Sequence, residues 1–412
     1  MKKLRQSLEF IPTLKEVSSD AVIQSHKILL RGGYAHQTAA GIYSYLPIGY
    51  RVIKKICEIT RQEHDKAGCS ELFLPVLQPK SLWDQTKRWD AYGDNLMKLK
   101  DRNERDFCLG PTHEEVITDI VKTYIKSYKK LPIGLYQIQT KFRDEFRPRF
   151  GLMRGREFIM KDLYTFHESQ ECLQNWYDIA SDIYTNIFKR CGLDFVKIEA
   201  DNGEIGGTSS HEFMALCEVG EDVITYCKEC GYSSNQEASD LFEGAPCPKC
   251  EADIYEAKGI ELGHIFQLGT KYSDALSANI NNASGELIPI VMGCYGIGIS
   301  RITMAVLEQH SRESKVMWPD EISPYDVHVI VSDVNNSDQM KAAIELETKF
   351  SKEGLECLVD DRDERMGSKI KDADLIGVPK KYIIGKDFEN GFIEYRDHYE
   401  DSVLVATSDL LK

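Results

Sequence analysis

The chain has 412 residues, 42% of them hydrophobic and 28% charged, and it carries a formal net charge of −15. This length exceeds what one hydrophobic core usually organises, and the composition excludes a disordered chain, so we expect two or three folded domains. Every apolar run is shorter than the roughly 18 residues that a membrane-spanning helix needs, which predicts a protein with no membrane partner.

The N-terminus and the cysteines indicate a reducing compartment. The first residues, MKKLRQSLEFIPTLKE, are basic but lack the apolar core of a secretory signal. Of the twelve cysteines, eight lie singly and four form two C-x-x-C pairs, which is typical of reduced thiols with one metal site rather than a disulfide framework. We therefore expect a cytoplasmic protein, with an organelle matrix as the alternative.

Apolar spacing predicts two long helices in the first half of the chain. One covers 48–67 and stops at Gly68, and the stretch ELFLPVLQP after it predicts a strand that ends at proline. The other covers 169–190 and is closed by Gly192. Its apolar stripe steps by three and four residues: Leu173, Trp176, Ala180, Ile183 and Ile187.

Further strands are predicted at LDFVKIEA, GHIFQLG and LIPIVMG. From about Ser323 the pattern changes to short alternating strands and helices, which predicts a small α/β domain with a mostly parallel sheet. The stretch WPDEISPYD, with two prolines, is the predicted linker before that domain.

The segment 141–161 combines strand-like alternation with local positive charge. It holds seven basic residues against three acids, an excess of four that can meet ATP phosphates or an RNA end despite the acidic chain. Arg143 and Glu145 are predicted to share one face of a strand, as a clamp for an α-phosphate and for adenine or an amine, with Phe158 stacking on the base. A surface hairpin with exposed salt bridges is the alternative.

The segment MGCYGIGISRI predicts a strand, two glycines and a helix. Gly296 and Gly298 resemble half of a dinucleotide-binding loop, but Arg301 stands where the third glycine would be, which argues against a Rossmann fold. An arginine in the first turns of this helix can hold the end of a triphosphate. Tight packing of the strand on the helix is the alternative, and it explains the glycines but not the arginine.

Two further polar groups are ambiguous by themselves. Thr112 and Glu114 in GPTHEE can present a hydroxyl and a carboxylate to a ligand amine, although this pattern before a helix is more often a cap. His211 in GGTSSHEF is either a ligand contact or a hydrogen-bonded structural histidine.

The two C-x-x-C pairs are separated by sixteen residues. This spacing suits four thiolates around one tetrahedral zinc ion, and the alternative is four thiols that no longer bind a metal. The predicted ligands are Cys227, Cys230, Cys247 and Cys250.

Taken together in chain order, these stretches resemble the class II prolyl-tRNA synthetases of the bacterial type. The resemblance rests on TAAGIYSYLPIGYRVIKKI, RWDAYGDNLMKLKDR, LGPTHEEVITD, GGTSSHEF, GHIFQLGTKYS, GCYGIGISRI and DDRDERMGSKIKDADLIG. The resemblance covers almost the whole chain, and its most specific part is the run from Tyr136 to His167.

The resemblance implies an α+β catalytic domain with an antiparallel class II synthetase sheet and flanking helices, and a small C-terminal α/β anticodon-binding domain. The implied division is a catalytic domain at 1–220 and 259–318, a cysteine insert at 221–258 and an anticodon-binding domain at 319–412. It also implies a homodimer formed through the helix and strand that end at Pro75. The implied activity is ATP- and Mg²⁺-dependent activation of proline and transfer to the 3′ end of proline tRNA.

Carried over residue by residue, the resemblance implies a role for each candidate. Arg143 meets the α-phosphate and the proline carboxylate, and Arg143 and Arg301 are the catalytic pair. Arg147 contacts the acceptor end of the tRNA. ATP is held by Arg143, Glu145, Arg154, Phe158 and Arg301. Proline is held by Thr112, Glu114, Arg143 and His211.

One departure concerns fidelity. Many bacterial members carry a large insertion that hydrolyses mischarged alanyl-tRNA, whereas only about fifty residues separate His211 from His264 here, and these contain the cysteine pairs. This gap is too short for a separate hydrolytic domain. Two other functions compete with the synthetase: a non-catalytic synthetase-like regulator that binds tRNA, and a free-standing deacylase, both of which lack a use for the phosphate-binding residues.

Overall fold

The computed structural model describes residues 3–17, 19–201, 203, 205–220, 222–236, 239, 241–313, 315–398 and 400–411. Its contacts divide the chain into two compact units. The central unit consists of Ala39–Ile42 and Cys57–Ala305. The terminal unit combines the residues up to Thr38, Tyr43–Ile56 and the residues from Val306 onward. The domain boundaries implied by the resemblance stay a prediction.

The α-helices of the described residues range from one turn to 21 residues. They are α1 Gln24–Arg31, α2 Pro47–Lys66, α3 Lys80–Gln85, α4 Arg88–Ala91, α5 Glu114–Tyr124, α6 Gln170–Arg190, α7 Lys271–Leu276, α8 Ile299–Gln309, α9 Ser337–Lys352, α10 Met366–Ile376 and α11 Thr407–Leu410. No helix within the described ranges combines the length and the apolar character needed to cross a bilayer.

The strands are mostly short, and the three longest lie in the central unit. They are β1 Leu4–Arg5, β2 Ala35–Ala39, β3 Ile42–Tyr45, β4 Ser70–Glu71, β5 Leu77–Pro79, β6 Lys98–Lys100, β7 Asp106–Leu109, β8 Ile133–Phe142, β9 Glu157–His167, β10 Phe195–Glu199, β11 Ser209–Leu216, β12 Asp222–Cys227, β13 Ser233–Asn235, β14 Ile254–Gly269, β15 Asn279–Asn281, β16 Leu287–Pro289, β17 Val291–Gly298, β18 Ser311–Arg312, β19 Lys315–Val316, β20 Val327–Val331, β21 Cys357–Asp360, β22 Lys380–Ile384, β23 Phe392–Asp397 and β24 Val403–Ala406.

The central unit is built on a nine-stranded sheet. Seven strands follow the order β10-β11-β14-β17-β9-β8-β4, and β12 and β13 extend the sheet from one end of β14. All these pairs are antiparallel except β4 with β8. The predicted antiparallel catalytic sheet is therefore confirmed, and a Rossmann fold, which needs parallel strands, is excluded for this sheet.

Helices cover both faces of this sheet. On one face, α5 and α7 pack against strand residues that include Tyr164, Phe166 and Met292. On the opposite face lies α6, whose Tyr184 contacts the side chain of Lys161. Because side chains alternate along a strand, successive residues of β9 and β17 face these two different environments.

The predicted helices agree with the structure because their patterns are long and clearly ended. Helix α2 matches the predicted 48–67, and Gly68 adopts the positive φ of 77° that favours glycine at a helix end. Helix α6 begins after Ser169, whose side chain accepts a hydrogen bond from the Cys172 backbone N–H. That bond satisfies one of the amides that the first turn leaves unpaired.

The terminal unit carries a six-stranded sheet in the order β1-β21-β20-β22-β23-β24. The pairs among β1, β21, β20 and β22 are parallel, and β23 and β24 are antiparallel. The small α/β domain with a mostly parallel sheet is thus confirmed. The sheet also contains β1, which was not predicted because a strand of two residues shows no pattern in the sequence. In the predicted linker, Trp318 is fully buried and donates from Nε1 to the Tyr34 hydroxyl at 2.7 Å, so this stretch is packed into the unit.

Three local predictions are wrong. The stretch ELFLPVLQP is not one strand, since β4 ends at Glu71 and β5 begins only at Leu77. Arg143 and Glu145 do not lie in a strand, because β8 ends at Phe142. Gly296 and Gly298 form no loop, since both belong to β17 and the helix follows directly.

Candidate active site

A cavity of about 450 Å³ opens on the face of the central sheet that also carries α5. Strand β9 contributes Phe158, Met160 and Asp162 to its lining, and β17 contributes Gly296 and Gly298. This is the alternation expected of a strand, with every second side chain facing the cavity. The glycines leave space there, because a Cβ on Gly296 would meet only Met160, at 3.7 Å or more.

At one end of the cavity Thr112 and Glu114 form an acidic pocket. Glu114 is fully buried, and the Thr112 hydroxyl donates to its carboxylate at 2.6–2.7 Å. The residue at the helix N-cap is His113, which makes no side-chain capping bond, so Thr112 serves the carboxylate and not the helix end. Thr112 is therefore not the cap of this helix, and its role as a ligand contact stays a prediction.

The charge of Glu114 is favoured in spite of its burial. Burial alone raises the pKa of this carboxyl, but the Arg88 guanidinium and the Thr112 hydroxyl outweigh it and hold the pKa below its usual value. The contact with Arg88 is 3.2 Å, and the Cys294 thiol also donates to Glu114 at 3.2 Å. A buried, ionised carboxylate of this kind suits a cationic amine.

Arg143 lies just beyond the end of β8 and lines the same cavity. Its guanidinium carbon is 5.3 Å from the centre of the Phe158 ring, so the cation and the ring face each other. Burial lowers the pKa of Arg143, but Tyr92 and the carboxylates of Glu261 and Glu145 raise it overall. Arg143 is therefore a fixed positive charge at the cavity wall.

Glu145 and Arg154 contact each other. Arg154 Nε lies 2.9 Å from Glu145 Oε2, and both residues line the cavity. The side chain of Arg154 is 44% exposed whereas that of Glu145 is 14% exposed, so a ligand has access to the arginine. The pair lies in the hairpin between β8 and β9. The alternative prediction was a surface hairpin with exposed salt bridges, and this salt bridge instead faces the cavity.

Arg301, in the first turn of α8, is held by Glu261 in the middle of β14. Its Nη1 donates to the Glu261 backbone carbonyl at 2.7 Å and lies 2.8 Å from the Glu261 carboxylate, and its Nε donates to the Met153 carbonyl at 3.0 Å. These contacts position the guanidinium at the cavity wall.

Beside Arg301 lies a cluster that the sequence did not single out: Glu212, Glu261 and His264. One ligand atom from each lies within 4.8 Å of the others, and all three line the cavity. Burial, with Glu261 and Asp222 nearby, raises the pKa of Glu212 to about 8. The sequence predicts only a strand at GHIFQLG. The signal that could have indicated this cluster is the pair Glu261 and His264, which are charged or ionisable residues three positions apart in this strand region.

Two candidates lie away from the acidic pocket. His211 accepts or donates at 2.7 Å with the Tyr177 hydroxyl of α6, on the face opposite the cavity. The neighbouring residue of β11, Glu212, lines the cavity instead, because successive residues of a strand face opposite sides of the sheet. Arg147 is exposed in the loop between β8 and β9, 5.6 Å from the ring of the exposed Phe146.

The four cysteines of the two C-x-x-C pairs are brought together. Their sulfur atoms lie within 4.8 Å of one another, and Cys227–Cys250 and Cys230–Cys247 are each 3.5 Å apart. Four thiolates at about 2.3 Å from a tetrahedral zinc ion would be about 3.8 Å apart, so the donor set fits that ion.

The chain matches two family models in succession. Residues 97–310 match the class II tRNA synthetase core domain of the G, H, P, S and T type, and residues 326–412 match the anticodon-binding domain. Among curated proteins, the proline–tRNA ligase of Sulfurimonas denitrificans is 43% identical over 425 residues, which cover 98% of each chain. That of a Geobacillus species is 37% identical over 558 residues, covering 99% of this chain and 98% of the relative.

The chain belongs to the proline–tRNA ligase family. The Geobacillus alignment is 146 positions longer than this chain of 412 residues, so the chain lacks a large insertion that this relative carries. Among solved structures, the prolyl-tRNA synthetase of Cryptosporidium parvum has a TM-score of 0.78 at 16% identity, over 98% of this chain and 78% of that one. The enzyme of Giardia lamblia, solved with prolyl-adenylate, has a TM-score of 0.76 at 20% identity over 93% and 75%. These structures confirm the class II synthetase fold.

Proposed function

We propose that this chain activates proline with ATP to give prolyl-adenylate and then transfers the prolyl group to the 3′ end of proline tRNA. The observation that carries the proposal is one cavity that contains an ionised buried carboxylate, Glu114, together with the guanidiniums of Arg143 and Arg301. A carboxylate for the secondary ammonium and cations for a carboxylate and phosphates are what the two substrates require.

In the first step an oxygen of the proline carboxylate bonds to the α-phosphorus of ATP while the bond from that phosphorus to pyrophosphate breaks. Glu114 and Thr112 hold the ammonium, and Arg143 holds the reacting carboxylate against the α-phosphate. No side-chain nucleophile is needed, because fixed cations stabilise the charge that spreads over the phosphoryl oxygens. Orientation of the two substrates in one cavity supplies the rest of the rate.

The other cavity residues bind the nucleotide. Phe158, whose ring also contacts the Arg143 guanidinium, stacks on adenine. Glu145 accepts a hydrogen bond from the adenine amino group. Arg154 and Arg301 hold the β- and γ-phosphates.

Glu212 and Glu261 are the residues we assign to Mg²⁺, because carboxylate oxygens are the ligands that this cation prefers. When bound, Mg²⁺ neutralises charge on the triphosphate.

In the second step a ribose hydroxyl at the end of the tRNA attacks the prolyl carbonyl and AMP leaves. Arg147 is exposed and cationic, which supports a contact with the acceptor strand. The match of residues 326–412 to an anticodon-binding domain supports a second contact at the far end of the tRNA.

Pyrophosphate exchange with each of the twenty amino acids tests the proposed function. We expect proline alone to support strong exchange. Comparable exchange with threonine or glycine would overturn the assignment to proline, and no exchange with any amino acid would favour a non-catalytic tRNA-binding regulator.

A structural zinc ion in the cysteine insert is a separate proposal, supported by the four clustered sulfur atoms. Elemental analysis of protein purified without chelator should find one zinc per chain, and a Cys227→Ser, Cys247→Ser variant should lose it. Less than about a tenth of an equivalent in active protein would indicate thiols without a metal.

We also propose a homodimer in the cytoplasm. Phe73 and Leu77, on either side of Pro75, are 78% and 46% exposed in the single chain, which supports a partner at this segment. The twelve cysteines, all within the described ranges, are free thiols, as a reducing compartment keeps them. Sedimentation analysis of Phe73→Glu against the parent tests the dimer, and a parent that sediments as a monomer contradicts it.

A further inference from the structure

Two fully buried carboxylates share one guanidinium behind the acidic pocket, and this arrangement carries an inference that rests on the proposed function. Arg88 Nη1 lies 2.9 Å from Glu115 Oε1 and 3.2 Å from Glu114 Oε2. Neither glutamate is exposed, and Arg88 is 2% exposed. One positive charge thus faces two acids, and only Glu114 lines the cavity.

The position of Arg88 is fixed by aromatic rings. Its guanidinium carbon is 5.1, 5.6 and 5.3 Å from the ring centres of Trp83, Tyr92 and Tyr272. Its hydrogen bonds to described residues all come from Nη1 and all go to the two glutamates. Because the rings fix the guanidinium and its hydrogen bonds within the described residues go to the two carboxylates, it orients these carboxylates.

The two carboxylates are held by different neighbours. Glu115 Oε1 accepts from the Thr86 hydroxyl at 2.8 Å as well as from Arg88. Glu114 accepts from Thr112 and from Cys294, both at the cavity. Glu115 therefore forms the shorter contact with the guanidinium, and the Glu114 carboxylate is left directed toward the ligand.

We propose that Arg88 and Glu115 are positioning residues for proline binding: Glu115 occupies the Arg88 guanidinium, so that Glu114 stays oriented and incompletely neutralised for the secondary ammonium. Neither residue contacts the substrate. Their function is to set the charge and the direction of the one carboxylate that does.

This arrangement makes the two single changes harmful for different reasons. Without Arg88, two buried carboxylates face each other without a cation, and the remaining charge is shared between Glu114 and Glu115. Without the charge of Glu115, the guanidinium pairs fully with Glu114 and competes with the proline ammonium. Without Arg88 there is no guanidinium for Glu115 to occupy, so in the double variant the loss of the Glu115 charge should add little to the loss of Arg88.

The test is pyrophosphate exchange by the full-length protein with Arg88→Met, Glu115→Gln and the double variant. Proline is titrated at saturating ATP, and ATP at saturating proline. Each single variant should raise the KM for proline by about tenfold and change the KM for ATP by less than about threefold. In the Arg88→Met background, Glu115→Gln should then have an effect of less than about threefold.

Two results would overturn the proposal. One is a double variant whose effect equals the product of the two single effects, which is what independent packing roles give. The other is a KM for ATP that rises as much as the KM for proline. Glu115→Gln keeps the shape of the side chain, so it remains informative if Arg88→Met fails to fold.

The matched control is Arg5→Met, which removes a largely buried arginine that lies 2.6 Å from Glu347 in the terminal unit. It should leave both KM values unchanged whatever it does to stability. Failure of the proposed function is distinguishable, because it would appear in the parent as an absence of proline-dependent exchange, whereas the inference is judged on the ratios of variants to the parent.

Discussion

Single residues of this site owe their chemistry to neighbours that are distant in sequence. The Arg88 guanidinium, 26 positions earlier in the chain, contacts Glu114 and favours its ionised form. The Thr112 hydroxyl favours the same form by donating a hydrogen bond to the carboxylate. The sequence predicted Thr112, Glu114, Arg143 and Arg301 as ligand-binding by residue type and resemblance, and the structure brings all four to one cavity. It did not predict the role of Arg88, since a lone arginine in a short helix carries no pattern.

Arg143→Ala should slow adenylate formation by a factor on the order of 10² or more, because a guanidinium at the reacting phosphate stabilises the transition state by a few kcal/mol in a dry site. Pyrophosphate exchange under saturating substrates measures this effect. The matched control is Arg190→Ala, whose guanidinium lies 2.7 Å from Glu63, away from the cavity. A rate within threefold of the parent would show that Arg143 does not hold the reacting groups.

Lys161 gives a prediction for stability against pH. It is fully buried on the α6 side of the sheet, where it donates to the Tyr184 hydroxyl and the Tyr295 carbonyl, and burial lowers its pKa to about 7. Between about pH 7 and the ordinary lysine pKa of about 10.4, the unfolded chain binds more protons than the folded one, so stability rises with pH.

The measurement compares the parent with Lys161→Met by chemical unfolding at several pH values. Between pH 7 and pH 9.5, the free energy of unfolding of the parent should rise relative to that of Lys161→Met by about 1 kcal/mol per pH unit. Lys100→Met, on the surface, is the matched control. A difference that is independent of pH would mean that the Lys161 ammonium stays charged in the folded protein.

At the scale of elements, long periodic segments were predictable and short or interrupted ones were not. Helices α2 and α6 have repeated apolar spacing and defined ends, and the strands of the terminal unit are short segments whose apolar residues form one buried cluster with α9. The extent of β17 was missed because glycine has a low preference for strands, and here a strand contains Gly296 and Gly298 to leave space for a ligand. The sequence could not show whether His211 or Glu212 faces the cavity, because the side of the sheet on which each side chain lies depends on the register of β11.

Gly296→Val tests whether the ligand occupies this floor of the cavity. The new side chain should fit the protein, since the nearest atoms to an added Cβ belong to Met160 at 3.7 Å, and valine favours a strand. It should nonetheless project into the cavity and reduce exchange by about tenfold or more through lost ligand contact. Ile297→Val, one residue along and outside the described lining, is the control. Full activity of Gly296→Val would place the ligand elsewhere.

At the scale of the whole molecule, the short insert between β11 and the second half of β14 stands where the resemblance predicts the large insertion of longer relatives. The described part of the insert contains β12, β13 and the four clustered cysteines. Its own apolar cluster is small, with Cys227, Cys247 and Ile254 as the buried members. Such a core supports a metal-held knuckle rather than an independent hydrolytic domain.

The size of the amino acid pocket then determines the last prediction. Alanine is smaller than proline and can enter the same pocket, and the few methylenes that it lacks separate the two substrates by only about 1–3 kcal/mol. We expect this chain to activate alanine weakly and to release alanyl-tRNA without correcting it, so that its host needs a separate deacylase. The test is to incubate preformed alanyl-tRNA that carries the proline anticodon with the purified protein, against tRNA without protein. Hydrolysis well above the spontaneous rate, persisting in Arg301→Ala, would reveal an editing site within this chain.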